Sequence, residues 1–289
     1  MIKGSGDTFM VNPAAIPEIY DSAAREVPVL SQLRGVYDRR GLLRLLVTRD
    51  LTVRYKRSVL GVWWSLLNPL LTTMVFFYVF NTVFKAKMVG GTVFLPYLLS
   101  GILCMAFFSQ GMTMAADSIA QSSSVLTKVY VRPEVFAFSA TIASAINFLL
   151  GVIPLTAVLV VYGKYPAAHA PLILIFVLCM TLFSTGLGLL LAIAYVNFDD
   201  SRSIINILLM LIQYMTPVFY PITALGPHTQ KVIHLNPLTS YLSVLRDVWG
   251  NNGAATGAEW LTMILSSIFI FILGLVVFQR KWPKLVAKL

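Results

Sequence analysis

The densest chemistry in the 289-residue sequence is a run of cations, Arg49, Arg54, Lys56 and Arg57, which stops just short of the uncharged stretch opened by Gly61, Trp63 and Trp64. Guanidinium and ammonium groups in such a cluster bind phosphate through charge-assisted hydrogen bonds. They also bind anionic lipid head groups, at about 1 kcal/mol per cation near a membrane surface. Both uses are open at this stage. A second set consists of carboxamides set inside apolar runs, Asn68, Asn147 and Gln213. Such groups either hydrogen-bond between helices or line a path for a polar solute. A third set is aromatic: Phe76, Phe77, Tyr78, Phe80 and Phe84 in the first apolar run, and Tyr214, Phe219 and Tyr220 around the fifth. Flat apolar faces with hydroxyl handles suit a sugar, and the same rings serve equally as a lipid-facing belt.

Residues for covalent or hydrolytic chemistry are missing from the pattern. The Gly163-Lys164 pair is followed by Tyr165 and lacks the upstream glycine of a phosphate loop, so ATP is not expected to bind in that way. There is no HExxH, CxxC or GxSxG, and His169, His228 and His234 lack ligand spacing. No catalytic residue, metal site or cofactor is expected in this chain. Asp199-Asp200 is the only carboxylate pair fit for a membrane-surface transferase, and it reads more simply as a turn capping the fifth helix. Cys104 and Cys179 stand in apolar runs, where a lone cysteine acts as a small buried hydrophobe.

The elements that must position these residues follow from hydropathy. The chain is 57% hydrophobic and 12% charged, with mean hydropathy +0.79, far from the roughly 25% charged residues of soluble domains. It reads as an all-α polytopic membrane protein. About 20 apolar residues cross the bilayer, and six runs free of Asp, Glu, Lys and Arg qualify: 62–84, 94–116, 135–161, 171–198, 204–220 and 260–278. The fifth is the shortest. With the amino terminus inside, 17 of the 22 Lys and Arg fall on the cytoplasmic side, so the positive-inside rule places both termini there. The net charge of +10 thus reports topology rather than a nucleic-acid partner. Residues 1–38 contain mixed charges and no run of signal-peptide length, so the first span is expected to serve as its own insertion signal. A transporter driven by protons or sodium keeps ionisable groups at membrane depth. Their absence from the six runs points to energy supplied from outside the chain.

Between the spans, three segments carry structure. In 39–60, Arg40, Arg44 and Thr48 recur every four residues while Leu42, Leu43, Leu45, Leu46 and Val47 cover the rest, an amphipathic interface helix with Asp50 and Arg54 at i,i+4. Gly61 then turns the chain. Residues 117–134 form a cytoplasmic loop with room for a short helix. In the external connection 221–259, Leu238, Leu242, Leu245 and Trp249 keep helical spacing over about 18 Å, too short to span, which predicts an interfacial or re-entrant helix after Pro237. Pro69 and Pro217 are expected to kink the first and fifth spans.

RDLTVRYKRSVLGVWWSLLNPLLTTMVFFYVF resembles the amino-terminal signature of membrane subunits of type 2 ABC exporters of the polysaccharide and polyol phosphate class, which includes O-antigen, galactan and teichoic acid exporters. The resemblance extends over most of the chain, through SSSVLTKVYVRPEVF after the second span and HLNPLTSYLSVLRDV before the last. It implies a multi-pass permease of the cytoplasmic (inner) membrane that pairs with a second copy of itself and with two copies of a cytoplasmic ATPase, which would bind ATP and Mg. A coupling helix would fall on the first cytoplasmic loop, with Ser122, Ser123, Ser124, Val125, Leu126, Lys128, Tyr130 and Arg132 as contacts. The implied cargo is a glycan on a polyprenyl diphosphate, of galactan or O-antigen type. Arg49, Arg54, Lys56 and Arg57 would meet its diphosphate or anionic lipid, and Trp63, Trp64, Asn68, Phe76, Tyr78, Gln213, Tyr214 and Tyr220 its sugars. Export of teichoic acid, lipid or drug is the alternative within the same superfamily.

Overall fold

The computed structural model describes residues 40–56, 58–61, 63–79, 82, 94–122, 132–163, 170–198, 200–249 and 255–286. Among them the regular elements are all helical: α1 (Arg40–Tyr55), α2 (Trp63–Tyr78), α3 (Phe94–Gln121), α4 (Glu134–Val161), α5 (Ile173–Asn197), α6 (Ser201–Met215), α7 (Pro227–His234), α8 (Pro237–Val248) and α9 (Gly257–Val286). Helices α3, α4, α5 and α9 are long and apolar enough to cross a membrane, while α6 is a shorter apolar helix and α2 has 16 residues. The chain is a multi-pass membrane protein.

The long helices pack through small residues, as expected where lipid removes the hydrophobic drive for helix association and close van der Waals approach must replace it. Helices α5 and α9 meet backbone to backbone at Gly186 and Gly274: a Cβ on either would collide with the main chain of the other helix. The buried hydroxyls of Thr141 on α4 and Thr185 on α5 bond to each other at 2.9 Å. Around these contacts the core gathers Leu98, Leu99 and Phe108 of α3, Phe148 of α4 and Phe176 and Met180 of α5. Cys104 and Cys179 are both free and buried.

Local chemistry sets the ends. Thr256 and Glu259 cap α9 reciprocally, the Thr256 backbone N–H donating to Glu259 Oε2 at 2.8 Å and the Glu259 N–H to Thr256 Oγ1 at 3.3 Å. Gly61, at φ +49°, makes the turn between α1 and α2. Pro69 lies inside α2, and its carbonyl accepts the Thr73 hydroxyl at 2.6 Å. Pro217 does not kink α6. The helix has ended at Met215, with Thr216 extended at φ −90° and ψ 138°, the conformation that a following proline favours. The predicted fifth span is therefore cut short at its end. Asp200 stands at the N-cap position of α6 without a side-chain capping bond, and Asp199 lies outside the described residues.

Helix α1 lies on α4, burying Leu46 against Val135 and Phe136 with Leu42 and Leu43 beside it, while Leu45 and Val53 stay exposed. Within the connection after α6, α8 folds inward. Asn236 caps α8 by accepting the Leu238 N–H at 3.1 Å, Pro237 takes the first helical position, and Leu238, Leu242 and Leu245 are buried. Trp249, just past α8, donates to Thr156 of α4 at 3.1 Å. The helix packs against α3, α5 and α9.

Candidate functional site

Helix α3 presents Ile102, Ala106 and Gln110 at four-residue spacing, and this ridge separates two clefts. The first, about 340 Å³, lies between α2, α3 and α4, with the end of α1 at one mouth; its polar lining is Arg54, Ser65, Asn68, Thr72, Gln110, Ser144 and Asn147. The second, about 410 Å³, lies between α3 and α6, and its polar lining is Ser109, Gln110, Thr113, Asn206 and Gln213. Their polar linings are neutral hydroxyls and carboxamides, and among the described residues the one charge is Arg54. Such walls offer donors and acceptors to a polyhydroxylated solute while holding no fixed ion strongly.

Arg54 reaches α3, donating from Nη2 to Gln110 Oε1 at 3.0 Å and lying 3.4 Å from Met114 Sδ. The sequence spacing of Asp50 and Arg54 predicts a pair within α1. Asp50 bonds Arg49 at 2.8 Å through Oδ1 and accepts from Ser139 at 3.2 Å through Oδ2. The acidic residue thus ties α1 to α4, and Arg54 extends to the groove. Lys56 is exposed and Arg57 lies outside the described residues.

The aromatic residues divide. Trp64 lines the first cleft, Trp63 is 65% exposed and Tyr78 equally so. Phe76 of α2 packs on Phe219 with ring centroids 4.9 Å apart, and Tyr214 on Phe219 at 5.7 Å. Tyr220 Oη donates to Tyr214 O at 2.9 Å. The α2 and α6 aromatics therefore meet in one cluster, just beyond the end of α6. Of the residues assigned to the coupling loop, Ser122 closes α3 and is buried, and the Arg132 carbonyl accepts the Val135 N–H at 3.2 Å at the start of α4. Ser123, Ser124, Val125, Leu126, Lys128 and Tyr130 lie outside the described residues.

Helix α6 packs only lightly on α5 and is fastened at both ends. At one end Arg202 pairs with Asp117 of α3 at 3.0 Å and lies over the Tyr195 ring, and Ser201 Oγ donates to Ala194 O at 3.1 Å. At the other, three side chains from elsewhere hold residues 216–220. Tyr97 Oη donates to Tyr220 O at 2.8 Å, Arg246 Nη1 to Pro217 O at 3.1 Å, and Asn236 Nδ2 to Thr216 Oγ1 at 2.9 Å. Arg246 also donates to Tyr97 O at 3.2 Å, and its guanidinium carbon lies 3.4 Å from the centroid of the Tyr97 ring.

Sequence patterning gave Arg246 no role within the connection 221–259, and it is buried at 6% exposure. Its signal was the apolar run LTSYLSVLRDVW on both sides of it. Gln110 and Asn206 were also missed. Each stands inside an apolar run as Asn68 does, and Ser109, Gln110, Thr113 and Asp117 fall on adjacent turns of one helix.

The chain matches the ABC-2 type transporter family over residues 41–249. It is 33% identical over 214 residues to the O-antigen export system permease protein RfbA of Myxococcus xanthus, covering 73% of this chain and 81% of that one. It is 27% identical to the protein of the same name from Klebsiella pneumoniae, covering 83% of this chain and 91% of the relative. It is 21% identical to the capsule polysaccharide export inner-membrane protein CtrC of Neisseria meningitidis, covering 89% and 97%. The chain belongs to the ABC-2 type transporter family, as a membrane permease whose relatives serve polysaccharide export.

Proposed function

We propose that this chain is the transmembrane subunit of an ATP-driven exporter that moves a lipid-linked polysaccharide, a galactan or O-antigen-type glycan on a polyprenyl diphosphate, from the cytoplasmic to the outer face of the inner membrane. The observation that carries the reading is the pair of clefts flanking α3, polar yet, among the described residues, without carboxylate or histidine in their linings. A glycan slides over such walls, and they hold no group for binding a coupling ion. The driving energy then comes from two copies of a cytoplasmic ATPase, which hold the ATP and Mg, acting on two copies of this chain. In this reading both termini are cytoplasmic, α2 and α6 complete a set of six spans, and α8 is the external re-entrant helix. ATP binding closes the ATPases, the connection 122–133 left between α3 and α4 passes the movement to those helices, and a path opens along α2 and α6. Arg49, Arg54, Lys56 and Arg57 face anionic lipid and the diphosphate on the cytoplasmic side.

Cells lacking the chain should hold the lipid-linked glycan on the cytoplasmic leaflet, and restoring the gene should return it to the surface. Normal surface glycan in the deletion strain would overturn the reading. Neutralising Arg54 or Arg57 should lower export with normal membrane insertion, and unchanged export would remove their role toward the substrate.

A further inference from the structure

The two clefts differ in one respect that bears on what each receives. The groove between α2, α3 and α4 has a cation at its mouth, and its carboxamides come from three different helices: Asn68, Gln110 and Asn147. We infer that this groove, within a single copy of the chain, is the seat for the phosphorylated, sugar-bearing head group of a polyprenyl lipid, occupied before the glycan reaches the path along α6. The inference rests on the exporter reading for the polyprenyl carrier and for the direction of transport.

Arg54 carries the first part of the argument. Its guanidinium has five N–H donors, and its described bonds all leave from Nη2, to a neutral amide and a thioether. A cation so placed, exposed and, among the described residues, without a carboxylate partner, retains donors for a phosphate, which guanidinium binds in bidentate fashion. Gln110 fixes the arginine at the groove rather than letting it sweep the surface.

The walls carry the second part. Above Arg54 the groove runs from Gln110 to Ile102 along α3 and from Trp64 to Thr72 along α2, about 12 Å on each helix at 1.5 Å per residue. A seam made only for helix association would close its polar groups on one another. This seam closes on one long pair, the Ser65 hydroxyl donating to Asn147 Oδ1 at 3.4 Å, and is open beside it, where Asn68 is exposed and the Thr72 hydroxyl reaches it only at 3.5 Å. Carboxamides present a donor and an acceptor side by side, which matches vicinal sugar hydroxyls. Size selects the ligand further. A volume of about 340 Å³ falls at the small end of ligand sites, which run from about 300 to 1,000 Å³. It takes a head group and leaves out a polymer. Leu71 and Met74 of α2 and Ile153 of α4 are exposed, an apolar flank along which the hydrocarbon chain of the ligand would stay in the bilayer.

The same phosphate-and-hydroxyl chemistry occurs in bulk phosphatidylglycerol, and the test separates the two sources. Full-length chain in phosphatidylcholine nanodiscs is titrated with a polyprenyl diphosphate carrying one hexose, with the bare polyprenyl diphosphate, and with phosphatidylglycerol. The glycosylated probe should bind about tenfold more tightly than the bare one, and both well above phosphatidylglycerol. Asn147→Leu and Asn68→Leu should remove the sugar increment and leave the affinity for bare diphosphate unchanged. Arg54→Gln should weaken both polyprenyl probes about tenfold. Ser144→Ala, a smaller change on the same wall, gives the same reading at lower amplitude if Asn147→Leu fails to insert. Equal binding of all three lipids, or affinities within twofold of wild type in every variant, would overturn the seat. Co-purification with an ATPase is scored on the same samples: a chain that keeps its ATPase but shows no groove-dependent binding retains the exporter reading and loses the seat.

Discussion

Arg54 and Arg246 are both arginines set against apolar helices, and among the described residues neither has a carboxylate partner. Their surroundings differ in solvent and in saturation. Arg246 is 6% exposed and spreads its donors over Pro217 O, Tyr97 O and the Ser100 hydroxyl, with the Tyr97 ring beneath it. Arg54 is exposed and uses Nη2 toward Gln110 and Met114. An ion taken out of water costs several kcal/mol unless its bonding capacity is filled, so a buried arginine must be saturated by its own fold. An exposed one at a groove mouth need not be. Arg246 is thus a pin that joins α8, α3 and the turn after α6, and Arg54 is a hand held open.

The largest test of this contrast is Arg246→Met. It removes the charged donor from the Tyr97 and Pro217 carbonyls, which keep only the Ser100 hydroxyl at 2.8 Å and the Tyr97 hydroxyl at 3.2 Å as side-chain donors, and should destabilise the chain by about 3 kcal/mol, as hydrogen bonds to a charged group are worth about 1.5–3 kcal/mol each. Thermal unfolding in detergent measures it, and a stability equal to wild type would show that Arg246 is no pin. Gly101→Ala approaches the same point sterically. The added Cβ would stand 2.8 Å from Val218 Cγ1 and 3.3 Å from Arg246 Nη2, at an overpacking cost of about 1–3 kcal/mol. Pairing it with Arg246→Met should give less than the sum, since both act on one contact. At the other arginine, Arg54→Gln should change stability by no more than about 0.5 kcal/mol while lowering export. Gln110→Glu is the smallest and most selective change. It gives Arg54 a charged partner worth about 0.5 kcal/mol at an exposed site, leaving folding intact and reducing the affinity for a phosphorylated head group. A gain in that affinity would contradict the placement of Arg54 at the seat.

The same contrast explains what was legible in the sequence. Hydropathy found the long helices, with α3 starting at Phe94 and α4 ending at Val161 as predicted though α3 runs past its predicted end to Gln121, because absence of charge over about 20 residues is a bilayer constraint that few other structures share. It underestimated α9, which runs on to Val286 through Arg280, Lys281 and Lys284. Charge ends a span, whereas only backbone chemistry ends a helix. It overran α6 because Pro217 reads as a kink or as a stop, and the extended Thr216 decides for the stop. Arg246 was illegible as a buried group because positional counting assigned a whole connection to one side of the membrane, and α8 folds inward from that connection.

At the candidate site, Arg54, Trp64, Asn68 and Gln213 were legible from residue type and now line the two clefts. Gln110 was not, since a single carboxamide among apolar neighbours has the same appearance whether it joins two helices or walls a groove. Only the tertiary arrangement places it on the ridge shared by both clefts. The coupling residues 123–130 lie outside the described residues, and their assignment rests on the family resemblance.

The measurement that bears most directly on the whole account is purification of the tagged, full-length chain from its native membrane, followed by identification of what comes with it. The account predicts a nucleotide-binding ATPase in equal amount to this chain, with ATP hydrolysis in the purified assembly. Recovery of the chain alone, with no nucleotide-binding partner and no ATP hydrolysis, would contradict it.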